Sequence, residues 1–395
     1  MAPEAPLTTR DLSRATLARQ GLLDPIVGTP ADAVRRIGSL QAQHPEWPPV
    51  ALAARAKSRQ TADLASALSD RSVVRSSLMR LTIHVVHADD LWPMFAVVQP
   101  LRLKQWRLLL KADPIDSRLG KRMTATHAMA IGALRERPMS SLELDRLMAA
   151  EIGPAATATT RRAWRQPESQ MVVRAAWRHF AAFVPLVHVP WEGEGYGRSQ
   201  YLLAEDWLGS DGADVDEAGA RVHLAHRYLS AFGPASVEDL VAYVGRGKGG
   251  IGIWRDAVAA LADELVQLRG GDGSTLFDVV GGPRPGADAS APPRLLARWD
   301  SLLLSHATKQ RQRIIADEHR GAVFTKNADV LPTFLLDGFV AGTWELTRTD
   351  DAATITLRPF SRLARRDRAA LLDEGDRVLE LVAPRSAKRS VGIGG

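Results

Sequence analysis

The stretch VVRSSLMRLTIHVV, residues 73–86, decides the fold of the first part of this chain. It is rich in β-branched residues and alternates in part between apolar and polar positions, which predicts two short strands joined by a turn. Three helical patterns precede it. Three short helices followed by a hairpin are the element order of a winged helix, a variant of the helix-turn-helix motif.

The three helices before the hairpin are indicated by apolar spacing and by capping signals. The first follows a rough helical period that stops near Gly21. Thr29-Pro30 supplies an N-cap with proline at the first helical position, and this second helix is predicted to extend to Leu40. Thr61 is predicted to cap the third. The order helix, helix, helix, hairpin thus spans the first ninety or so residues.

The same order recurs further along the chain. A helix over residues 126–134 is followed by a second helix capped by Ser140 or Ser141, and a strand is predicted at residues 184–189. A third start follows a Gly-Pro stop, with Ser236 capping its next helix. From about residue 275 onward, short apolar runs separated by turn signals predict a mostly antiparallel β region.

Glycine, aspartate, alanine and proline accumulate at residues 208–219 and 281–293, which predicts linkers there. Each small helical unit alone has too little core to be very stable. We therefore expect one compact α+β protein in which the units pack around a common β element.

Composition bounds the chemistry of the chain. Its 395 residues contain no cysteine, which excludes disulfides, cysteine-ligated zinc, iron–sulfur clusters and thiol nucleophiles. No stretch of about 18 apolar residues and no signal-peptide pattern is present. These features predict a cytoplasmic protein with no membrane association.

Charge is unevenly distributed along the chain. Residues 71–122 contain ten basic and four acidic side chains, and residues 161–178 and 358–368 each contain five arginines with one acidic residue. Residues 205–217 contain six acidic side chains and no basic one. Such segregation favours a surface that faces a polyanion, and nucleic acid is the usual polyanion. Solvated helix faces in an arginine-rich chain are the alternative interpretation.

The most distinctive segment is SLQAQHPEWPPVALAAR, residues 39–55, which contains Gln41-Ala42-Gln43. Four further segments follow it in the chain: RLTIHVV (80–86), YLSAFGPAS (228–236), RLLARWDSLLL (294–304) and FLLDGFVAGTW (334–344). Together, and in this order, they resemble the winged-helix DNA glycosylases of the AlkZ type. The Gln-x-Gln form matches the subgroup associated with self-resistance to DNA-alkylating natural products, and the small Ala42 is predicted to enlarge the pocket.

The resemblance implies three tandem winged-helix motifs packed around a C-terminal β-barrel-like unit. The implied divisions are residues 8–90 for the first motif, 91–207 for connecting helices and the second, 218–270 for the third, 275–385 for the barrel and 386–395 for a tail. The resemblance also implies a monomer that requires no cofactor or metal ion and is associated with the nucleoid.

The implied activity is that of a monofunctional DNA glycosylase. Its substrate would be double-stranded DNA carrying bulky N-alkylated purines such as N7-alkylguanine, N3-alkyladenine or interstrand crosslinks, in self-resistance or in alkylation repair. The alternative is a noncatalytic winged-helix transcriptional regulator with the same basic surfaces. The Gln-x-Gln motif distinguishes the two, because a regulator does not require both amides.

By the resemblance, Gln41 and Gln43 are the catalytic residues. N-alkylation makes the purine a good leaving group, so the enzyme must mainly hold a water and stabilise cationic charge on the sugar. Residues two apart on a helix point about 200° from one another. Since Pro45 disfavours helix at the residue before it, we expect a frayed helix end that lets the amides converge. The alternative is an ordinary polar helix end.

Two further residues are candidate auxiliary groups. His84 lies in the RLTIHVV segment and is expected near the DNA backbone or the lesion, or else in ordinary hairpin packing. Asp300 lies in the RWDSLLL segment and is expected to assist the cationic transition state, or else to form structural hydrogen bonds. His84 and His87 should not share a metal ion, because residues three apart on a strand face opposite sides.

The candidate DNA contacts come from three segments of the chain. Residues 189–201 are predicted to form a glycine-rich hairpin with aromatic residues, and the resemblance places this hairpin near the lesion. The alternative is a wing that packs against the protein without contacting DNA. The segment HATKQRQR, residues 306–313, is predicted to be an extended basic loop that contacts DNA phosphates. The alternative is a solvated loop without a DNA contact. The predicted DNA-binding residues are Arg80, Trp191, Tyr196, Arg198, His306, Lys309, Arg311 and Arg313.

Overall fold

The structure is a computed structural model that describes residues 5–112, 117–152, 175–189, 200–245, 250–326, 329–349 and 351–394. These residues form a mixed helical and sheet protein, as the α+β prediction requires. The first helix, α1 (Thr9–Arg19), begins at a capping box in which Thr8 and Asp11 satisfy each other's backbone amides. It ends just before Gly21, whose φ of +67° is a left-handed conformation.

The first unit follows α1 and contains three helices and three strands. Thr29 caps its first helix with proline next to it, as predicted. That helix ends at Ile37 rather than Leu40, because Gly38 adopts a φ of +89°. Asp63, not Thr61, caps its last helix. The elements are α2 (Pro30–Ile37), β1 (Leu40–Gln41), α3 (Trp47–Ala53), α4 (Leu64–Ser69), β2 (Val73–Ser77) and β3 (Ile83–His87).

The second unit is reached through two connecting helices, α5 (Leu91–Ala112) and α6 (Ser117–Ala125). Ser140 and Glu143 hydrogen-bond to each other's backbone amides at the start of its second helix, which confirms the predicted serine cap. The elements of this unit are α7 (His127–Glu136), β4 (Met139–Ser140), α8 (Ser141–Ile152), α9 (Ala175–Phe183), β5 (Leu186–His188), β6 (Gln200–Leu203) and α10 (Ala204–Leu208).

The third unit repeats the plan, and Ser236 caps its second helix as predicted. Its first strand is reduced to a single bridge between Ala235 and Phe277. The elements are α11 (Glu217–Phe232), α12 (Val237–Val244), α13 (Gly252–Ala259), β7 (Leu265–Arg269) and β8 (Thr275–Val279). In the first two units the sheet orders are β1-β3-β2 and β4-β6-β5, and the bridge gives the third unit the same arrangement.

The C-terminal region differs from its prediction in three ways. Its five strands form the order β13-β12-β11-β10-β9, so in the described part of the chain the sheet is open and the barrel prediction is wrong. Within the residues predicted as a tail, a strand that was not predicted, β13, pairs in parallel with β12. Helix α16 was not predicted. The elements are β9 (Arg294–Leu296), α14 (Ser301–Leu304), α15 (Asp317–Val323), β10 (Thr333–Leu336), β11 (Phe339–Arg348), β12 (Ala352–Pro359), α16 (Arg365–Val382) and β13 (Lys388–Ile393).

The units share their cores. One buried cluster joins Ile37 and Val85 of the first unit to Ile355 and Val378 of the C-terminal region. Another joins the first unit, α5 and the third unit through Val86, Val98 and Leu224, among others. Because these cores cross the unit boundaries, the first unit is held from two sides. In the part of the chain that the structure describes, every helix is too short or too polar to cross a membrane.

Candidate active site

Gln41 lies in a strand, and Gln43 lies in the bend that follows it, rather than at a helix end. Gln41 is paired with His84 in the antiparallel β1–β3 pair, and the amide of Ala42 donates to the carbonyl of Ile83 at 2.8 Å. The prediction of a frayed helix is therefore wrong. The contacts of both side chains with Thr82 and Ile83 bring the two amides to one segment without any fraying.

The hydrogen bonds of the two glutamines show that they converge. The Oε1 atom of Gln41 lies 3.4 Å from Thr82 Oγ1, and the Oε1 atom of Gln43 accepts from the backbone amide of Ile83 at 3.1 Å. Thr82 and Ile83 are consecutive residues at the start of β3. Both amides therefore contact the same short segment of the first hairpin.

Ala42 points away from the glutamines into the core shared with the C-terminal region, where it is fully buried. Its small size therefore leaves the glutamine face unchanged, contrary to the predicted enlargement of the pocket. The carbonyl of Ala42 accepts from Arg75 at 3.3 Å (Nε) and 3.1 Å (Nη2). This buried guanidinium holds the backbone between the two glutamines in place.

The turn before β3 is strained. Arg80 and Leu81 have φ values of +54° and +60°, a left-handed conformation that costs a side-chain-bearing residue about 1–2 kcal/mol. Arg80 donates from Nη1 to the carbonyl of Tyr243 at 2.6 Å, and its Nη2 lies 3.4 Å from Gln41 Oε1. Burial lowers the pKa of Arg80 to about 10, so the guanidinium is still charged at neutral pH.

His84 is completely buried beside this guanidinium. Its Nδ1 lies 3.0 Å from the carbonyl of Thr82, and its Nε2 lies 3.2 Å from Arg80 Nη2. Nδ1 therefore carries the proton and Nε2 accepts, because a carbonyl only accepts and a guanidinium only donates. Burial first, and the charge of Arg80 second, lower the pKa of His84 to about 3. A neutral imidazole thus supports the turn that contacts Gln41.

Asp300 is held by other protein groups. Both of its oxygens accept from Arg55, at 2.6 and 2.9 Å, and neither side chain is exposed. Oδ1 also accepts from the amide of Leu302 and caps α14. This geometry matches the structural alternative given for Asp300, and its assistance to the transition state stays a prediction.

The segment 306–313 is not an extended loop, since Thr308–Arg313 is a 3-10 helix. His306 and Arg313 are buried, and Arg313 donates to the carbonyl of Pro234 at 2.7 Å. Burial also lowers the pKa of both side chains. Arg311 is partly buried over a phenylalanine ring, and Lys309 is exposed. Burial removes His306 and Arg313 from the groups that reach phosphate in this conformation.

Trp191, Tyr196 and Arg198 lie outside the described residues. The strands on either side of them pair as a hairpin, with His188 opposite Tyr201. Sequence reasoning did not single out Arg75, Thr82 or Tyr243, which hold the glutamines and Arg80. Arg75 and Thr82 lay in the quoted hairpin segment, but their contacts depend on a pairing between strands that are distant in sequence.

The repeated helix and hairpin units, together with two amides converging on one hairpin, define a multi-unit protein with a polar site on its first sheet. The sequence model of the family described as "DNA glycosylase AlkZ-like" matches residues 34–381. The chain belongs to the AlkZ-like DNA glycosylase family. The predicted enzyme class, a DNA glycosylase, is thereby confirmed, and the family membership does not support the alternative of a noncatalytic regulator.

Two relatives illustrate the similarity. The chain is 24% identical over 322 residues to the interstrand DNA cross-link repair glycosylase of Streptomyces sahachiroi, which covers 80% of this chain and 82% of the relative. The solved structure of Streptomyces sahachiroi DNA glycosylase AlkZ superposes with a TM-score of 0.78 at 21% identity, covering 99% of this chain and all of the other. That likeness extends the shared fold over nearly the whole chain.

Proposed function

We propose that this chain hydrolyses the N-glycosidic bond of bulky N-alkylated purines in double-stranded DNA, with Gln41 and Gln43 positioning the attacking water. The substrates are N7-alkylguanine, N3-alkyladenine and interstrand crosslinks, the last in line with the name of the curated relative. The role is self-resistance to a DNA-alkylating compound or alkylation repair. The protein acts as a monomer.

The observation that carries this proposal is the convergence of the two amides. Their carbonyl oxygens contact consecutive residues, Thr82 and Ile83. A water molecule held between these amides would donate hydrogen bonds to their oxygens in two fixed directions. A hydrogen bond that is already in place requires no reorganisation during the reaction.

The chemistry fits groups that do not titrate near neutral pH. An N-alkylated purine carries a positive charge, so it leaves without prior protonation and the sugar develops oxocarbenium character. Amide oxygens direct negative partial charge at that sugar and orient the water, while the departing base takes the electrons of the broken bond. Holding the water at the anomeric carbon provides the advantage of proximity. A strong general base is therefore unnecessary.

Recognition of DNA is assigned to the repeated units. We interpret the first, second and third units as winged-helix motifs, because each has a helix, a short strand or bridge, two helices and a hairpin in the same sheet order. Arg80 lies in the turn of the first hairpin, and its charge is suited to a nearby phosphate as well as to holding Gln41. Base contacts with a defined sequence are not required of a lesion-directed enzyme.

The proposal is tested with a duplex that carries one N7-benzylguanine and with a duplex that carries a defined N7-guanine crosslink. Chromatography should show the released base, and alkali should cleave the strand only after the enzyme has acted, as expected for a monofunctional glycosylase. Strand cleavage without alkali would contradict the monofunctional assignment. Failure to release either base would contradict the proposed activity.

A further inference from the structure

A cavity of about 400 Å³ lies between the first and second units, and Gln43 forms part of its wall. Ser77 and Ile83 of the first hairpin lie on the same side as Gln43. The opposite side comes from the second unit, with Trp177 of α9 and Tyr201 of β6. A volume of this size is within the usual range for small-molecule sites, which is roughly 300–1,000 Å³. A candidate catalytic residue therefore borders an open pocket large enough for a ligand.

The far wall of this cavity is aromatic. The rings of Trp177 and Tyr201 are 4.6 Å apart between centroids, and His188 lies 4.5 Å from Tyr201 on the other side. Burial lowers the pKa of His188 well below its usual value, so the imidazole adds no charge to the wall at neutral pH. Three adjoining neutral rings offer a surface that suits a planar aromatic ligand.

Two buried polar atoms at the cavity have no hydrogen-bond partner in the structure. One is Nδ1 of His188, in a side chain that is 4% exposed, and the other is Nη2 of Arg102. Arg102 is fixed through its other nitrogen, since Nη1 donates to the carbonyl of Ala181 at 2.8 Å. Leaving a buried polar group without a hydrogen bond is energetically unfavourable. A ligand with an oxygen acceptor would satisfy the guanidinium nitrogen.

We infer that this cavity receives the substituent of the alkylated purine, and that the preferred substituent is a neutral, planar aromatic group bearing oxygen acceptors. The inference rests on the proposed function, because it assumes that the glycosidic bond lies at Gln43. A methyl group would leave most of the volume unfilled. Arg102 and Arg178 also line the cavity and can donate to oxygen acceptors, while the rings of Trp177, Tyr201 and His188 provide the surface for the aromatic part of the substituent. The cavity thus determines specificity for the size of the adduct.

The experiment compares single-turnover excision of N7-methylguanine and N7-benzylguanine by the full-length protein. Trp177→Ala should slow release of the benzyl adduct about tenfold and leave release of the methyl adduct unchanged, since losing a stacking partner has effects of this order. Trp177→Phe should retain most of the preference. Ala181→Trp, which fills the cavity from the wall opposite Gln43, should give the same selective loss. Trp207→Ala is the matched control, because Trp207 does not line the cavity.

A second measurement tests the cavity without any bond cleavage. Free 7-benzylguanine should bind the intact protein more tightly than free 7-methylguanine, and Ala181→Trp should abolish that difference. If the wild-type protein excises neither adduct, the proposed function fails, and this binding assay still tests whether the cavity binds an aromatic substituent. Equal losses for both adducts in the Trp177 and Ala181 variants, or binding of 7-benzylguanine that Ala181→Trp leaves unchanged, would overturn the inference.

Discussion

Gln41 and His84 lie directly opposite one another in the β1–β3 pair, and both approach the same nitrogen of Arg80, at 3.4 and 3.2 Å. The imidazole accepts from Arg80 and donates to the carbonyl of Thr82. The carbonyl of Tyr243 fixes the other end of the guanidinium. The orientation of Gln41 therefore depends on a buried neutral histidine and on a contact with the third unit.

The first prediction concerns the pH dependence of stability. The folded protein lowers the pKa of His84 from 6.5 to about 3, so the folded state binds this proton less tightly than the unfolded chain does. The resulting contribution to the free energy of unfolding is fully present above about pH 6.5, and it is lost as the pH decreases towards 3. His84→Gln retains a donor and an acceptor but does not titrate. Urea unfolding at pH 7.5 and 5.0 should show a smaller pH-dependent loss in the variant, and an equal loss in both proteins would contradict this account.

The second prediction separates stability from catalysis at Asp300. Asp300→Asn leaves Arg55 charged in a fully buried site, which should lower the free energy of unfolding by about 3–5 kcal/mol. Excision by the folded fraction should stay close to the wild-type rate. Glu345→Gln breaks an exposed pair with Arg358 and is the control, with an expected loss below about 1 kcal/mol. A stable Asp300→Asn protein that had lost excision would instead assign Asp300 to the chemistry.

The third prediction concerns DNA binding by segment 306–313. Lys309 is exposed, so Lys309→Ala should reduce the slope of log K against log salt by up to about 0.9 if it contacts one phosphate. Arg313→Ala should mainly destabilise the fold, because the guanidinium donates to buried carbonyl oxygens. Fluorescence anisotropy on undamaged duplexes of several sequences measures the salt slope, and urea unfolding measures the loss of stability. Strong preference for one undamaged sequence would contradict the sequence-neutral binding expected of this enzyme.

The sequence predicted correctly those features that depend on residues close together in the chain. The caps at Thr29, Ser140 and Ser236 depend on contacts within three residues, and all three are present. The same is true of the β2–β3 hairpin, whose strands are joined by a short turn. Predictions of this kind need no knowledge of the rest of the fold.

Non-local pairing explains where the sequence predictions failed. Residues 38–43 were predicted to be helical up to a proline, but pairing with β3 holds Leu40 and Gln41 in extended conformation. The C-terminal residues 388–393 form a strand only because β12 offers a free edge beside α16. Helix α16 was not predicted because arginines dominate its start. Its apolar face is recognisable only from its packing against the C-terminal sheet. The Gln-x-Gln segment was predicted with the wrong backbone conformation.

The fourth prediction is that excision does not depend on a metal ion. The cationic alkylated purine is already an activated leaving group, and a Lewis acid is not needed to remove it. Within the described ranges, no group of three or more histidine, aspartate or glutamate side chains is placed to hold a metal ion. Single-turnover rates should be the same with EDTA and with added Mg²⁺. Loss of activity in EDTA that a divalent cation restores would contradict the proposed mechanism.

The most direct test of the central claim is single-turnover release of N7-benzylguanine by the Gln41→Ala and Gln43→Ala variants at saturating protein. Each variant should be slower by about 10²–10³, the usual effect of losing one preorganised polar group, while its affinity for undamaged DNA stays near that of the wild type. Gln60→Ala, at an exposed glutamine of the same unit, is the matched control and should retain the wild-type rate. Wild-type rates in both the Gln41 and Gln43 variants would contradict the assignment of these amides to catalysis.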